Sequence, residues 1–274
     1  MPLTTAHPVV AVPFQKLGLS LSALIVGSVI PDFEFFLRLT TGRLIAHTIP
    51  GILLFCLPVG FLVLLIFHKF LKYPLITLLP HSHQNKLLPL AGNYTFFSIR
   101  RLSNIFLSLT IGALSHIVLD ALTHSDGFFV ELFPVLSATL FEFDGGALRV
   151  YFLLQYLISA IGMLLLVYWY YSWYKTAPEG KLERNKKFPS GSKGVVAVFM
   201  CAMTLVGGVV YGYVTIIPAE GVQMVKLFVS NATIAATSSF LLSLIVFAFL
   251  WYRLTPADHR NMLEQNATNT LRTE

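Results

Sequence analysis

The sequence predicts an all-α fold: a polytopic membrane bundle of about five full spans, preceded by a short N-terminal helical hairpin. Composition is the first reason. Of 274 residues, 55% are hydrophobic and 12% charged, where a soluble chain carries about 25% charge, and mean hydropathy is +0.72. The second reason is a set of five apolar runs, at residues 49–67, 104–122, 151–171, 195–217 and 233–252. Each is long enough for a hydrocarbon core roughly 30 Å thick. The third is the partition of basic residues. Lys69, Lys72, Lys86, Arg100 and Arg101 fall in one connection, Lys175, Lys181, Arg184, Lys186, Lys187 and Lys193 in another, and Arg253, Arg260 and Arg272 in the tail. If the five runs alternate, these lie on one side, and the opposite connections hold only Arg38, Arg43, Arg149 and Lys226. That is the positive-inside pattern, and it places the tail in the cytoplasm.

The elements follow in order. Thr4 and Thr5 read as helix caps and Pro8 as a first-turn residue. The apolar run 9–14 ends at Gln15-Lys16-Leu17-Gly18, a turn signal, and a second run, 20–30, stops at Pro31-Asp32-Phe33-Glu34. Residues 17–30 are too short for a span of their own. They also lack the basic lead and small-residue cleavage site of a signal peptide. Two arms of about 15–20 Å joined by a turn would bring His7 and Asp32 to one end. The alternative is a single span with His7 left on the cytoplasmic side. After the first full span, residues 74–89 are apolar but interrupted by Pro80-His81-Ser82-His83, which suits the inner interface. The third span is flanked by aromatics, among them Tyr151, Tyr168, Trp169 and Trp173. The linker 175–193 and the tail 258–274 read as solvated. The whole is one membrane domain, 1–257, with a functional front half, 1–150, and a supporting half, 151–257. Cys56 and Cys201 sit inside apolar runs and read as small core residues rather than a disulfide or zinc pair.

The chemistry lies in the front half. His116, Asp120 and His124 recur at four-residue intervals, so they share one helix stripe. Ionisable groups inside a span are costly and need partners, and imidazole with carboxylate is a metal-ligand set. The topology was assigned from lysines and arginines alone. It nevertheless carries Asp32, Glu34, His47 and His124 to the outward face, with Asp120 and His116 one and two turns deeper. The hairpin adds His7. The candidate metal ligands are therefore His7, Asp32, Glu34, His47, His116, Asp120 and His124. Singly, each has an ordinary explanation: a hydrogen-bonded core histidine, a helix stop, a cap. His81 and His83 lie in a cytoplasmic connection, His68 at an inner boundary and His259 in the tail. The net charge of +6 does not mark a nucleic-acid surface, because the basic segments lack interleaved aromatics.

The opening Met1-Pro2-Leu3-Thr4-Thr5-Ala6-His7-Pro8, the Gly27-Ser28-Val29-Ile30-Pro31-Asp32-Phe33-Glu34 end and the His116-x3-Asp120-x3-His124 stripe resemble the bacterial membrane family of domain of unknown function 4184, over most of the chain. The order is also similar to bacterial membrane-bound metal-dependent hydrolases, which place an early His, a Pro-Asp-x-Asp, a His-containing turn and a late His-x3-Asp. Glu34 stands where their second Asp would be. It resembles, too, the ligand order of zinc-dependent phospholipase C and its nuclease relatives. His7, Asp32, His47, His116, Asp120 and His124 match their first six ligands, and the final His-x3-Glu is missing. These resemblances imply a zinc or manganese site, with Asp32 as ligand and general base. They imply a hydrolase acting on a phospholipid or lipid-linked phosphate ester, at the outer face of a bacterial plasma membrane. The rival class is a non-enzymatic membrane protein, a metal transporter or a scaffold. A transporter wants acids along a whole path, and the runs after Tyr151 contain neither acid nor histidine.

Overall fold

Prolines and glycines decide where these helices start, widen and touch. The protein is described by a computed structural model covering residues 4–92, 94–96, 98–143, 146–178, 190–216, 221–258, 260 and 263. Most of the linker basic cluster (Lys181, Arg184, Lys186, Lys187), Asp144, His259 and most of the tail lie outside the described residues. The chain divides into two compact units. The first comprises Met1–Arg38, Gly42–Leu64 and Phe97–Ser172, and the second Leu39–Thr41, Leu65–Phe96 and Trp173–Glu274.

In the first unit, the N-terminal arm is a chain of short helical turns, Thr4–Ala6, Pro8–Ala11 and Val12–Leu17. Gly18 ends it at φ 78°, a left-handed conformation that suits glycine. Helix α1 (Leu21–Val29) returns, Pro31 opens a tight turn at Ile30–Asp32, and α2 (Phe33–Arg38) follows. The expected hairpin is therefore present. Asn104 pins its turn, accepting from the Ser20 amide at 3.0 Å and donating to the Gly18 carbonyl at 2.9 Å.

Helix α3 (Ile49–Leu78) is capped by Thr48, whose Oγ1 accepts from the Gly51 amide at 3.1 Å. It continues past the end expected at residue 67. Lys69 and Lys72, read as connection residues, are helical. Long basic side chains tolerate an apolar helix end by snorkelling, and the helix stops only at Leu79-Pro80, where Leu79 is extended at ψ 160°. Pro58 and Pro74 each follow a widened, π-type turn, Ile52–Cys56 and Phe67–Leu71. A widened turn relieves the clash and missing amide that proline brings to a helix interior.

The short helix α4 (His81–Leu87) belongs to the second unit. Helix α5 (Ile99–Thr123) crosses α1 at two glycines. A Cβ on Gly27 would meet the Leu109 carbonyl oxygen at 2.5 Å, and one on Gly112 the Leu24 carbonyl oxygen at 2.5 Å. The backbones thus touch directly. Around them Leu24, Ile30, Ile105, Leu109 and Ala113 are fully or almost fully buried. An antiparallel hairpin of β1 (Thr139–Phe143) and β2 (Gly146–Arg149) follows. It is a local departure from the all-helical expectation. Helix α6 (Val150–Thr176) packs its Gly162 against Val9 and Ala6 of the N-terminal arm. Helix α6 lies in the first unit through Ser172.

The second unit is dominated by the antiparallel pair α7 (Ser190–Thr215) and α8 (Gly221–Leu254). Gly207, Gly208 and Gly212 face Ser239, Ala236 and Ala232 across it, which allows close backbone approach. Tyr73, Leu88, Met200, Phe247 and Trp251 form this unit's core. Cys56 is buried and Cys201 is exposed, so only the first is the core residue expected of it. Five helices are long and apolar enough to cross a membrane: Ile49–Leu78, Ile99–Leu132, Val150–Thr176, Lys193–Thr215 and Gln223–Leu254. The chain is an integral membrane protein.

Candidate metal centre

Every candidate residue lies in the first unit, on four separate segments. Helix α5 supplies His116 and Asp120, one turn apart and buried. The Gly27–Gly112 contact brings the end of α1 against α5, so the Ser28 carbonyl accepts a hydrogen bond from His116 Nδ1 at 2.8 Å. With Nδ1 donating, neutral His116 presents a bare lone pair at Nε2. That nitrogen lies 3.5 Å from Asp32 Oδ1 and 3.6 Å from Asp120 Oδ2. A backbone carbonyl that sets the ring and tautomer of a histidine is the usual outer-shell support of a metal ligand.

The other segments complete the cluster. Pro31 turns the chain so that Asp32 is buried, with Oδ2 accepting from Thr4 Oγ1. The arm brings His7, whose ring stacks on His116 at 4.1 Å and whose Nε2 is 3.4 Å from Asp120 Oδ1. The connection after α2 brings His47, with Nε2 3.2 Å from Asp32 Oδ1 and 3.7 Å from Asp120 Oδ2. Phe35 stacks on the His47 ring at 5.2 Å. Two ligand sets emerge, His7/His116/Asp120 and Asp32/His47/His116, sharing His116.

These residues fit a divalent cation. His7 and His47 each turn Nε2 towards the carboxylates, and His116 Nε2 is buried with no hydrogen-bond partner among the described residues. His116 Nε2 is the telling one, an electron pair facing two carboxylates, which only a cation or a proton between them relieves. The four separations linking His47 and His116 to Asp32 and Asp120 run from 3.2 to 3.7 Å. A tetrahedral ion with bonds of about 2.1 Å sets its ligands roughly 3.4 Å apart. The Thr4 hydroxyl donates to Asp32 Oδ2, which favours the carboxylate form of Asp32 over the buried acid.

Two expected ligands are engaged otherwise. Glu34 is buried, but both its oxygens are taken by backbone amides: Oε2 accepts from Leu44 at 3.1 Å and Ala46 at 3.3 Å, and Oε1 from Ile45 at 3.1 Å. It fastens the loop that carries His47 and stands outside both ligand sets. His124 lies at the edge, with Nδ1 3.5 Å from Asp120 Oδ1 and 3.3 Å from the Asp120 carbonyl, and Nε2 3.4 Å from the Gln155 amide. His81 and His83 lie in α4 beside Asn85 and Tyr174, and His68 stacks on Tyr94, all in the second unit.

Arg43 escaped the sequence reading. Its Nη2 is 2.7 Å from Asp120 Oδ2 and its Nη1 3.3 Å from Asp126 Oδ2. The only signal was its position four residues before His47. Thr4 was read only as a helix cap, and Gln155 carried no signal.

The model of the family described as domain of unknown function (DUF4184) matches residues 1–249. No curated protein matches the chain, and no solved structure does.

Proposed function

We propose, for a chain that belongs to the family described as domain of unknown function (DUF4184), a membrane-embedded metal-dependent hydrolase of phospholipid or lipid-linked phosphate esters. The metal is zinc or manganese, one or two ions held by His7, Asp32, His47, His116 and Asp120. The observation that carries this reading is the position of His116 Nε2, without a hydrogen-bond partner among the described residues and set between two buried carboxylates. A bound divalent ion supplies a Lewis acid and acidifies water towards a pKa of about 7. The chain's own part is to hold the imidazoles in one tautomer, keep Asp32 ionised, and exclude bulk water with the arm's Ala6 and His7. Asp32 is the candidate general base: one oxygen faces the imidazoles and Thr4 steadies the other. The basic connections support a cytoplasmic tail and therefore a site at the outer, headgroup face of a bacterial plasma membrane.

A non-enzymatic scaffold is the second reading, because a proton on His116 would satisfy the same carboxylates. Elemental analysis of chelator-free protein in mild detergent separates the two. One or two zinc-like ions per chain are expected, abolished by His116→Ala or Asp120→Ala and untouched by His81→Ala with His83→Ala. Absence of stoichiometric metal leaves the scaffold. Activity is read in mixed micelles with a lipid panel, following headgroup or phosphate release by mass spectrometry. Turnover should vanish on chelation and return with zinc or manganese. Metal-loaded protein that turns over nothing across the panel leaves a transporter or scaffold.

A further inference from the structure

The two ends of the Arg43 guanidinium are held very differently. Nη2 is on Asp120, a cluster carboxylate with 7% side-chain exposure, at 2.7 Å. Nη1 is on Asp126, whose side chain is 66% exposed, at 3.3 Å. The inner contact is short and buried, so it is the strong half of the pair. The outer one joins a partly exposed arginine, 27% in the side chain, to a solvated carboxylate. Exposed pairs of that kind contribute little. The outer half of the fork is therefore available for exchange.

Charge decides what it exchanges for. Without a metal, Asp32 and Asp120 outweigh Arg43, and the mouth of the cluster repels anions. A divalent ion cancels the two carboxylates, and the outward charge of Arg43 is then balanced only by the solvated Asp126, which an incoming anion can replace. Guanidinium offers parallel N–H donors in a fixed fork that matches phosphate oxygens. The surroundings are apolar. Arg43 is followed by exposed Leu44 and Ile45, and Asp126 lies two residues before exposed Phe128.

Building on the metal reading above, we infer that Arg43 is the anion anchor of this site. It stays on Asp120 through Nη2 and gives up Asp126 to grip a singly charged phosphate ester through the rest of its fork. Glu34 makes the grip rigid, because its three amide bonds fix residues 44–46 immediately after the arginine. The ligand class is a phosphate ester carrying an acyl chain, which would lie against Leu44, Ile45 and Phe128.

The test is equilibrium binding, separate from turnover. Manganese-loaded protein in detergent is titrated with inorganic phosphate in one arm and a short-chain phosphatidylglycerol in the other, following phosphorus-31 relaxation. Wild type should bind both, the lipid at least tenfold tighter. Arg43→Ala should weaken both by tenfold or more at unchanged metal content. Asp126→Asn, which removes the competing carboxylate, should tighten both two- to fivefold. If Arg43→Ala sheds metal, Arg43→Lys carries the same comparison, keeping the charge beside Asp120 and losing the fork. Unchanged affinity in the arginine variant at full metal content, or weaker binding in Asp126→Asn, overturns the inference and leaves the metal site standing. Equal affinity for the two phosphates overturns the lipid assignment. Wild type that takes up neither manganese nor zinc overturns the metal reading itself.

Discussion

Asp32 divides its two oxygens between different partners, and that division makes its removal informative. Oδ2 accepts from the Thr4 hydroxyl while Oδ1 faces His47 and His116. Asparagine has nearly the same shape and one carbonyl oxygen, but it cannot accept a proton. Asp32→Asn is therefore expected to keep part of the metal and to lose turnover by roughly 10²–10⁴-fold, the usual weight of a general base. Metal content and lipid hydrolysis measured on the same preparation check this, and full activity in the variant would remove Asp32 from the base role. Glu34 is the contrasting carboxylate. Its place beside Asp32 in sequence made it look like a ligand. Nothing in sequence could show that three backbone amides of a loop ten to twelve residues away would consume it. A side chain's partner in an irregular loop has no periodicity to betray it, and Arg43 went unread for the same reason.

At the scale of elements, the decisive contact is the crossing of α1 and α5. Glycines on both sides let the backbones touch, and that closeness carries the Ser28 carbonyl to His116. Gly112→Ala would drive a methyl group into the Leu24 carbonyl oxygen, so the helices must part. The expected cost is about 1–3 kcal/mol of stability, with metal affinity reduced about 10–100-fold as the outer-shell bond to His116 lengthens. Thermal denaturation in detergent and metal titration read the two effects. Gly42→Ala, where a Cβ meets nothing within 4 Å, is the matched control and should change neither. The α5 stripe was legible beforehand because the helical period places residues 116 and 120 on one face whatever the helix packs against. The α1 contact was not, since a glycine in an apolar run marks a close approach without saying to what. The β1–β2 hairpin was overlooked although Asp144-Gly145-Gly146 is a hairpin-turn signal. Apolar spans on both sides drew the reading towards helix.

For the whole molecule, five spans and their order were legible because hydrocarbon thickness imposes a length that composition alone satisfies. Only the ends moved, as at α3, which runs on through Lys69 and Lys72 to Leu78. Sidedness is the property still to be measured. Single cysteines at Ser137 and Ser190, in a background lacking Cys56 and Cys201, are expected to react with a membrane-impermeant maleimide from opposite sides of intact cells. The Ser137 position should label from outside. Thr5→Cys should label with it, since the arm and Asp32 meet at one end of the hairpin. Labelling of Thr5→Cys only after permeabilisation would contradict an outward site.

The contact between His7 and Asp120 spans 113 residues of chain. A cation shared between them would knot the beginning of the polypeptide to its middle, much as a cross-link does. Tying off a loop of about 100 residues withdraws roughly 4–5 kcal/mol of freedom from the unfolded chain. With such a cation in place the arm would be latched to α5, and removing the ion would free both.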